Sequence, residues 1–205
     1  MTSASVPALA SEVAPARPSA SDALKQIALE EFAAVGYLGT SLQHIADKAG
    51  VSKSSVLYHF ESKEALLEAV LTPAIDAMEA LLTSTVASLR APGGPDRYVV
   101  EFVDLLLDNR LAVHIFINQG QSIIDLPVIH RANRIVRSLA ASMTSEFSSP
   151  RQQIRFGIAL GGAAYILVAA ANWGAASTLP PDETRAALIS VVRELLIPMS
   201  GTSTI

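Results

Sequence analysis

The chain has 205 residues, a net charge of −4, half its residues hydrophobic, 17% charged and no cysteine. That length holds one sizeable domain, or a small head and a larger body. The lack of cysteine excludes disulfides, thiolate catalysis and zinc-thiolate sites and fits a cytoplasmic setting, and with only 5% aromatics the core must rest on Ala, Leu, Ile and Val, which points to an all-α fold.

Residues 1–20 mix Ala, Ser and Pro with Glu12 and Arg17. They lack a basic start followed by an apolar run, so they read as a disordered tail and not as a secretion signal. Ser19 or Ser21 can cap a first helix whose apolar positions Leu24, Ile27, Ala28, Phe32 and Val35 follow helical spacing up to Gly36. Thr40-Ser41-Leu42-Gln43 has the form of a capping box opening a second helix. Its inner stripe is Leu42, Ile45, Ala46 and Ala49, Gly50 stands at the left-handed cap position, and Val51 is expected to turn back into the core. Ser52 caps a short third helix from Lys53 to His59 or Phe60, with Val56, Leu57 and Phe60 as its apolar members. Two short helices joined by a tight glycine turn form a helix-turn-helix.

Ser62 caps a fourth helix running to about Leu89, and Pro73 inside it predicts a kink near Leu71–Thr72. Ala91-Pro92-Gly93-Gly94-Pro95 is a break. Further helices are expected at 96–109, 110–120, 127–147, 151–174 and 181–197, with Pro127, Pro150 and Pro181 in early helical positions where proline is tolerated. No charged residue occurs from Phe156 to Pro181, but the apolar run there is about 16 residues, short of the roughly 20 a membrane span needs. It reads as a buried or interface helix, and no membrane partner is expected. The chain divides into the tail 1–20, a helix-turn-helix head 21–66 and a larger helical body 67–205.

The residues Ala28, Phe32, Gly36, Thr40, Ile45-Ala46, Ala49-Gly50-Val51-Ser52, Leu57-Tyr58, Phe60 and Ser62-Lys63-Glu64-Ala65-Leu66-Leu67 stand in an ordered, ungapped pattern. This stretch, Ala23–Leu71, resembles the tetracycline-repressor (TetR) family of bacterial regulators. The resemblance implies an N-terminal DNA-binding head, a divergent ligand domain, and release of DNA when a small effector binds. The chain reads Val56-Leu57-Tyr58-His59-Phe60, so the tyrosine stands one position later than in the commonest family pattern.

Hydroxyls and free N–H groups at helix starts suit phosphate, which nominates Thr40, Ser41, Ser62 and Lys63. The third helix can enter a major groove end-on with Lys53, Ser54, Ser55, Tyr58 and His59 outward. Lys53 can reach guanine or phosphate, and the serines allow close approach; the resemblance assigns Tyr58 and His59 to the DNA backbone. All four lysines (Lys25, Lys48, Lys53, Lys63) lie in the first third, a local footprint within an acidic chain.

Ligand sites between helices are mostly apolar with a few orienting polar groups. The candidates are His114, Phe116, Gln119, Gln121, His130, Asn133, Met143, Tyr165, Asn172 and Trp173, and the effector is a small molecule of open identity. Arg131, Arg134 and Arg137 form either a solvated face or a counter-charge for an acidic ligand or partner helix. Gly157, Gly161 and Gly162 permit close helix packing, and by resemblance the helices near 151–174 and 181–197 form a homodimer's four-helix bundle. No catalytic motif, metal set or cofactor fingerprint is present, so the chain does not read as an enzyme. The reading is a DNA-binding transcriptional regulator, a ligand-released repressor on a near-palindromic operator. The alternative is a helical small-molecule sensor that does not bind DNA.

Overall fold

The computed structural model describes residues 19–89, 92–146, 149–173 and 180–196, with side chains for all of these except 84–89, 143–146, 170–173 and 181. Every regular element among them is an α-helix: α1 Ala20–Ala34, α2 Leu42–Ala49, α3 Lys53–His59, α4 Lys63–Leu89, α5 Gly94–Asp108, α6 Arg110–Gln119, α7 Pro127–Glu146, α8 Pro150–Trp173 and α9 Pro181–Leu196. Local chemistry explains most boundaries. The Ser19 hydroxyl caps α1 by accepting from the Asp22 N–H at 3.1 Å. Gly36 leaves helical space with φ +91°, where a side chain would be strained. Pro127, Pro150 and Pro181 are the first residues of their helices, where the missing N–H costs nothing.

Two apolar cores result. The first gathers Phe32 and Ala28 of α1, Ile45 of α2, Val56 of α3, Leu66, Leu67 and Val70 of α4, Ile115 of α6 and Ile129 of α7. It therefore runs across the head and into the body without a seam at residue 66. The second joins Leu81 of α4 to Val99, Phe102 and Val103 of α5, Ala159, Leu160 and Ala163 of α8 and Val192 of α9. Met78 of α4 packs against both. Burying side chains such as Phe32 or Leu66 contributes about 1.5–3 kcal/mol each. Ion pairs dress the outside: Arg185 to Asp104 at 2.5 Å, which holds the Asp104 carboxyl below its ordinary range, and Arg193 to Asp96 at 2.5 Å. Arg155 of α8 donates to the Leu195 and Glu194 carbonyls at 3.0 and 2.9 Å, satisfying acceptors in the last turn of α9.

α4 is continuous from Lys63 to Leu89 with Pro73 inside it. Val70 and Leu71 before the proline and Ile75 after it are all buried in the first core. One local expectation fails. Val51 does not return to the core but stays 40% exposed. The Gly50 turn (φ 67°, ψ 29°) directs the Val51 N–H to the Ala46 carbonyl at 3.0 Å, so its backbone is anchored and its side chain is left outside.

Candidate nucleic-acid interface

The three head helices present α3 as a tip. Of its seven residues only Val56 is buried, and it is the peg that fixes the helix on the core. Lys53, Ser54, Ser55, Tyr58 and His59 are all exposed, Tyr58 at 87%. Leu57, expected on the inner stripe, is 41% exposed instead, because it stands roughly 100° around the helix axis from the Val56 peg. It is an apolar member of the tip that spacing alone missed.

The serines of the tip are locally engaged. The Ser52 hydroxyl accepts from the Ser55 N–H at 3.1 Å and shares hydrogen bonds with the Ser54 and Ser55 hydroxyls, both at 2.9 Å. These bonds fix the first turn, and all three groups remain at the surface. Lys53 makes no ion pair among the described residues, whereas Lys48 lies 3.4 Å from Glu31 and Lys25 lies 2.6 Å from Asp22. The Tyr58 and His59 rings meet edge to face at 5.3 Å, which limits the rotamers of both side chains.

Behind the tip, Thr40 and Ser41 divide their roles differently from the expected capping box. Ser41 caps α2, its hydroxyl accepting from the His44 N–H at 3.1 Å, while Gln43 bonds Asp47 instead of reaching back. Thr40 is 2% exposed and donates to the Gly36 carbonyl at 2.8 Å and the Glu31 carbonyl at 3.3 Å. Its hydroxyl is spent inside the head, which corrects its nomination as a cap and as a phosphate contact. Ser62 does cap α4, accepting from the Ala65 N–H at 3.1 Å. Lys63 donates to the Tyr37 and Thr40 carbonyls at 2.9 and 3.0 Å. An ammonium has three donors, so one N–H and the full charge remain for a phosphate. Tyr37 in turn donates from its hydroxyl to Glu64 at 3.0 Å. Burial and that carboxylate push the phenol well above its ordinary value. The Glu64 carboxyl is held low, first by its own backbone N–H and then by this phenol.

The body's candidates are spread over α6, α7, α8 and the segment after α6. Gln119 ends α6 against the head: its Oε1 accepts from the Tyr37 N–H and its Nε2 donates to the Phe32 carbonyl, both at 2.7 Å. Phe116, one turn earlier, packs on the first core. Both side chains thus face the joint between α6 and the head. His114 is half-buried on α6 beside Asn118, Gln121 and His130 are exposed, and Asn133 is half-buried on α7. Tyr165 is 51% exposed on α8. The side chains of Met143, Asn172 and Trp173 lie outside the described residues. Arg131 pairs with Asp76 at 2.6 Å and with Glu79 of α4, so its counter-charge is a neighbouring helix. Arg134 and Arg137 are exposed. A cavity of about 510 Å³ lies instead where α1 meets α4 and the α5–α6 corner, lined by residues such as Lys25, Leu29, Val70, Pro73, Leu107 and Arg110.

A second face is apolar and open. Ile154, Ile158, Tyr165 and Ile166 of α8 and Val191 of α9 are 44–62% exposed. Between them Gly157, Gly161 and Gly162 have nothing within 4 Å of where a Cβ would stand. No helix among the described residues is long and apolar enough to cross a membrane.

Comparison with known proteins follows this geometry. Residues 26–70 match the family model "Bacterial regulatory proteins, tetR family". The chain is 40% identical over 86 residues to the HTH-type transcriptional regulator RutR of Escherichia coli strain K12, 42% of this chain and 39% of that protein. It is 41% identical over 63 residues to the HTH-type transcriptional repressor KstR2 of Mycolicibacterium smegmatis, 30% of this chain and 31% of that one. The matched stretches thus span less than half the length of these relatives. Solved structures share the fold over most of the chain. A TetR-family transcriptional regulator from Bordetella parapertussis aligns with a TM-score of 0.65 at 20% identity, covering 90% of this chain and 98% of that one. The ketosteroid transcriptional regulator KstR2 of Mycobacterium tuberculosis aligns at 0.62 and 17% identity, covering 90% and 97%.

Proposed function

We propose, for a chain that belongs through its residues 26–70 to the tetR family of bacterial regulatory proteins, that it is a ligand-released transcriptional repressor binding a near-palindromic operator as a homodimer. The observation that carries the reading is the exposed α3 tip from Lys53 to His59, pegged by Val56 onto the core of the head. Residues 21–66 read the DNA, and residues 67–205 bind the effector and dimerise. Lys53 and Tyr58 reach the major groove and its rim, with Ser54, Ser55 and His59 beside them. Ser41, Ser62 and the remaining N–H of Lys63 meet phosphates. Two copies pair through the open faces of α8 and α9 and set their tips about one helical turn of DNA, roughly 34–36 Å, apart. A cytoplasmic site of action follows from a chromosomal target, and no step of this reading calls on catalysis or a cofactor.

Selection from a random duplex pool by the full-length protein tests the reading. The expected product is a near-palindrome bound with loss of affinity as salt rises. Tyr58→Ala and Lys53→Ala should each weaken that binding at least about tenfold while leaving the unfolding midpoint unchanged, since exposed positions cost little to truncate. Failure to enrich any duplex, or full affinity in both variants, counts against it.

A further inference from the structure

We infer that Gln119 is the positioning residue that makes the orientation of the DNA-reading head follow the position of α6. This rests on the function proposed above. Apolar contacts between α6 and the head, such as those of Phe116, tolerate sliding. Two hydrogen bonds from one amide to two backbone groups do not, because such bonds weaken steeply with distance and angle. Gln119 holds the Phe32 carbonyl and the Tyr37 N–H at 2.7 Å each, across 87 and 82 residues of chain. Gly36 lies between these two points, and a Cβ there would already stand 3.7 Å from the amide oxygen.

The turn gripped in this way is itself tied forward. Lys63 holds the Tyr37 and Thr40 carbonyls, and Ser41, next in the chain, caps α2. A shift of Tyr37 is therefore passed to the start of α4 and to the helix that supports α3. On the body side, Gln119 is the last residue of α6, and the first residues of that helix, Arg110 to Ala112, line the 510 Å³ cavity. Ten residues make a rod of about 15 Å, short enough to move as one piece. Displacement of its start by an occupant, or by repacking of the body, must either drag the turn or break both bonds at Gln119.

Coupling is reciprocal, so it is measurable without knowing the effector. The probe is a duplex selected by the wild-type protein, and the readout is amide hydrogen exchange of the full-length chain with and without it. In wild type, duplex binding should slow exchange in residues 110–126 as well as in the head. In Gln119→Met the duplex should still bind, while the change in 110–126 falls by about fivefold or more, the low end of allosteric couplings. Gln119→Glu keeps an acceptor for the Tyr37 N–H and loses the donor to Phe32, so it should fall between. It also stands in if the Met variant does not fold. An equal response of 110–126 in wild type and variant, or none in wild type, overturns the inference. If no duplex is selected, the functional reading fails by itself. The latch is then judged on the Tyr37 amide, whose exchange must rise in Gln119→Met; an unchanged rate overturns it.

Discussion

The ammonium of Lys63 lies 4.2 Å from the centre of the Tyr37 ring while it donates to that residue's own carbonyl at 2.9 Å. One side chain thus serves the fold and, in the function proposed above, would offer its spare N–H to the DNA. Lys63→Ala should lower unfolding stability by about 1–3 kcal/mol, from lost charge-assisted hydrogen bonds and the ring contact. It should also flatten the salt dependence of DNA binding by about one unit. Urea unfolding and a salt titration of duplex affinity measure the two separately. An unchanged urea midpoint would show that the carbonyl contacts contribute nothing, and a change confined to one duplex sequence would remove the phosphate role.

Thr40 and Ser41 are adjacent hydroxyl residues with different work. Thr40→Val keeps the shape and deletes the donor to the Gly36 and Glu31 carbonyls, so it should cost about 1–3 kcal/mol. Ser41→Ala removes a helix cap and should cost about 1 kcal/mol. Chemical denaturation of the two variants ranks them. A larger loss at Ser41 than at Thr40 would contradict the burial assigned to the Thr40 hydroxyl.

Gly161 gives a prediction whose sign depends on assembly. In a lone protomer an added methyl meets nothing, and glycine to alanine in a helix is worth up to about 1 kcal/mol of stabilisation. At a close helix crossing between two copies the same methyl intrudes. Gly161→Leu should therefore leave a folded protein that sediments as a monomer and binds the operator poorly. If it still sediments as a dimer, the two copies meet elsewhere.

Glu31 bonds the His44 ring at 2.5 Å and lies 3.4 Å from Lys48, and the His44 hydrogen bond above all holds its carboxyl below the ordinary 4.5. A carboxyl depressed in the folded state adds stability that is present above about pH 4.5 and is lost as pH falls from there through the lower folded value. The melting temperature of wild type should approach that of Glu31→Gln as the pH drops from 6 towards 3. A gap of constant size across that range would mean the contacts are not coupled to ionisation.

Much of the architecture was legible because it is written locally. The caps at Ser52 and Ser62, the left-handed Gly50 and the prolines opening α7, α8 and α9 are each set by their own few residues. What failed was decided by distant partners. Thr40 and Ser41 both have capping chemistry, and only the packing of α1 behind them buries the first and leaves the second at the helix start. Gln119 reads as a polar group suited to a ligand. Nothing near it in sequence reveals that its two partners belong to the turn after α1. The tip residues 53–59 were legible as an exposed set, except Leu57, whose helical spacing reads as inward although it stands around the helix axis from the Val56 peg.

Met78 touches both cores from the middle of α4. An unbranched thioether can re-form its contacts through several low-energy rotamers, unlike a β-branched residue in the same place. Substitutions that reshape the far end of the molecule can thus be absorbed at this joint before their strain reaches Val70 and Leu71. Such a joint gives the two cores separate tolerances: side chains around Val99 and Leu160 can be exchanged with little disturbance of those around Phe32 and Ile45.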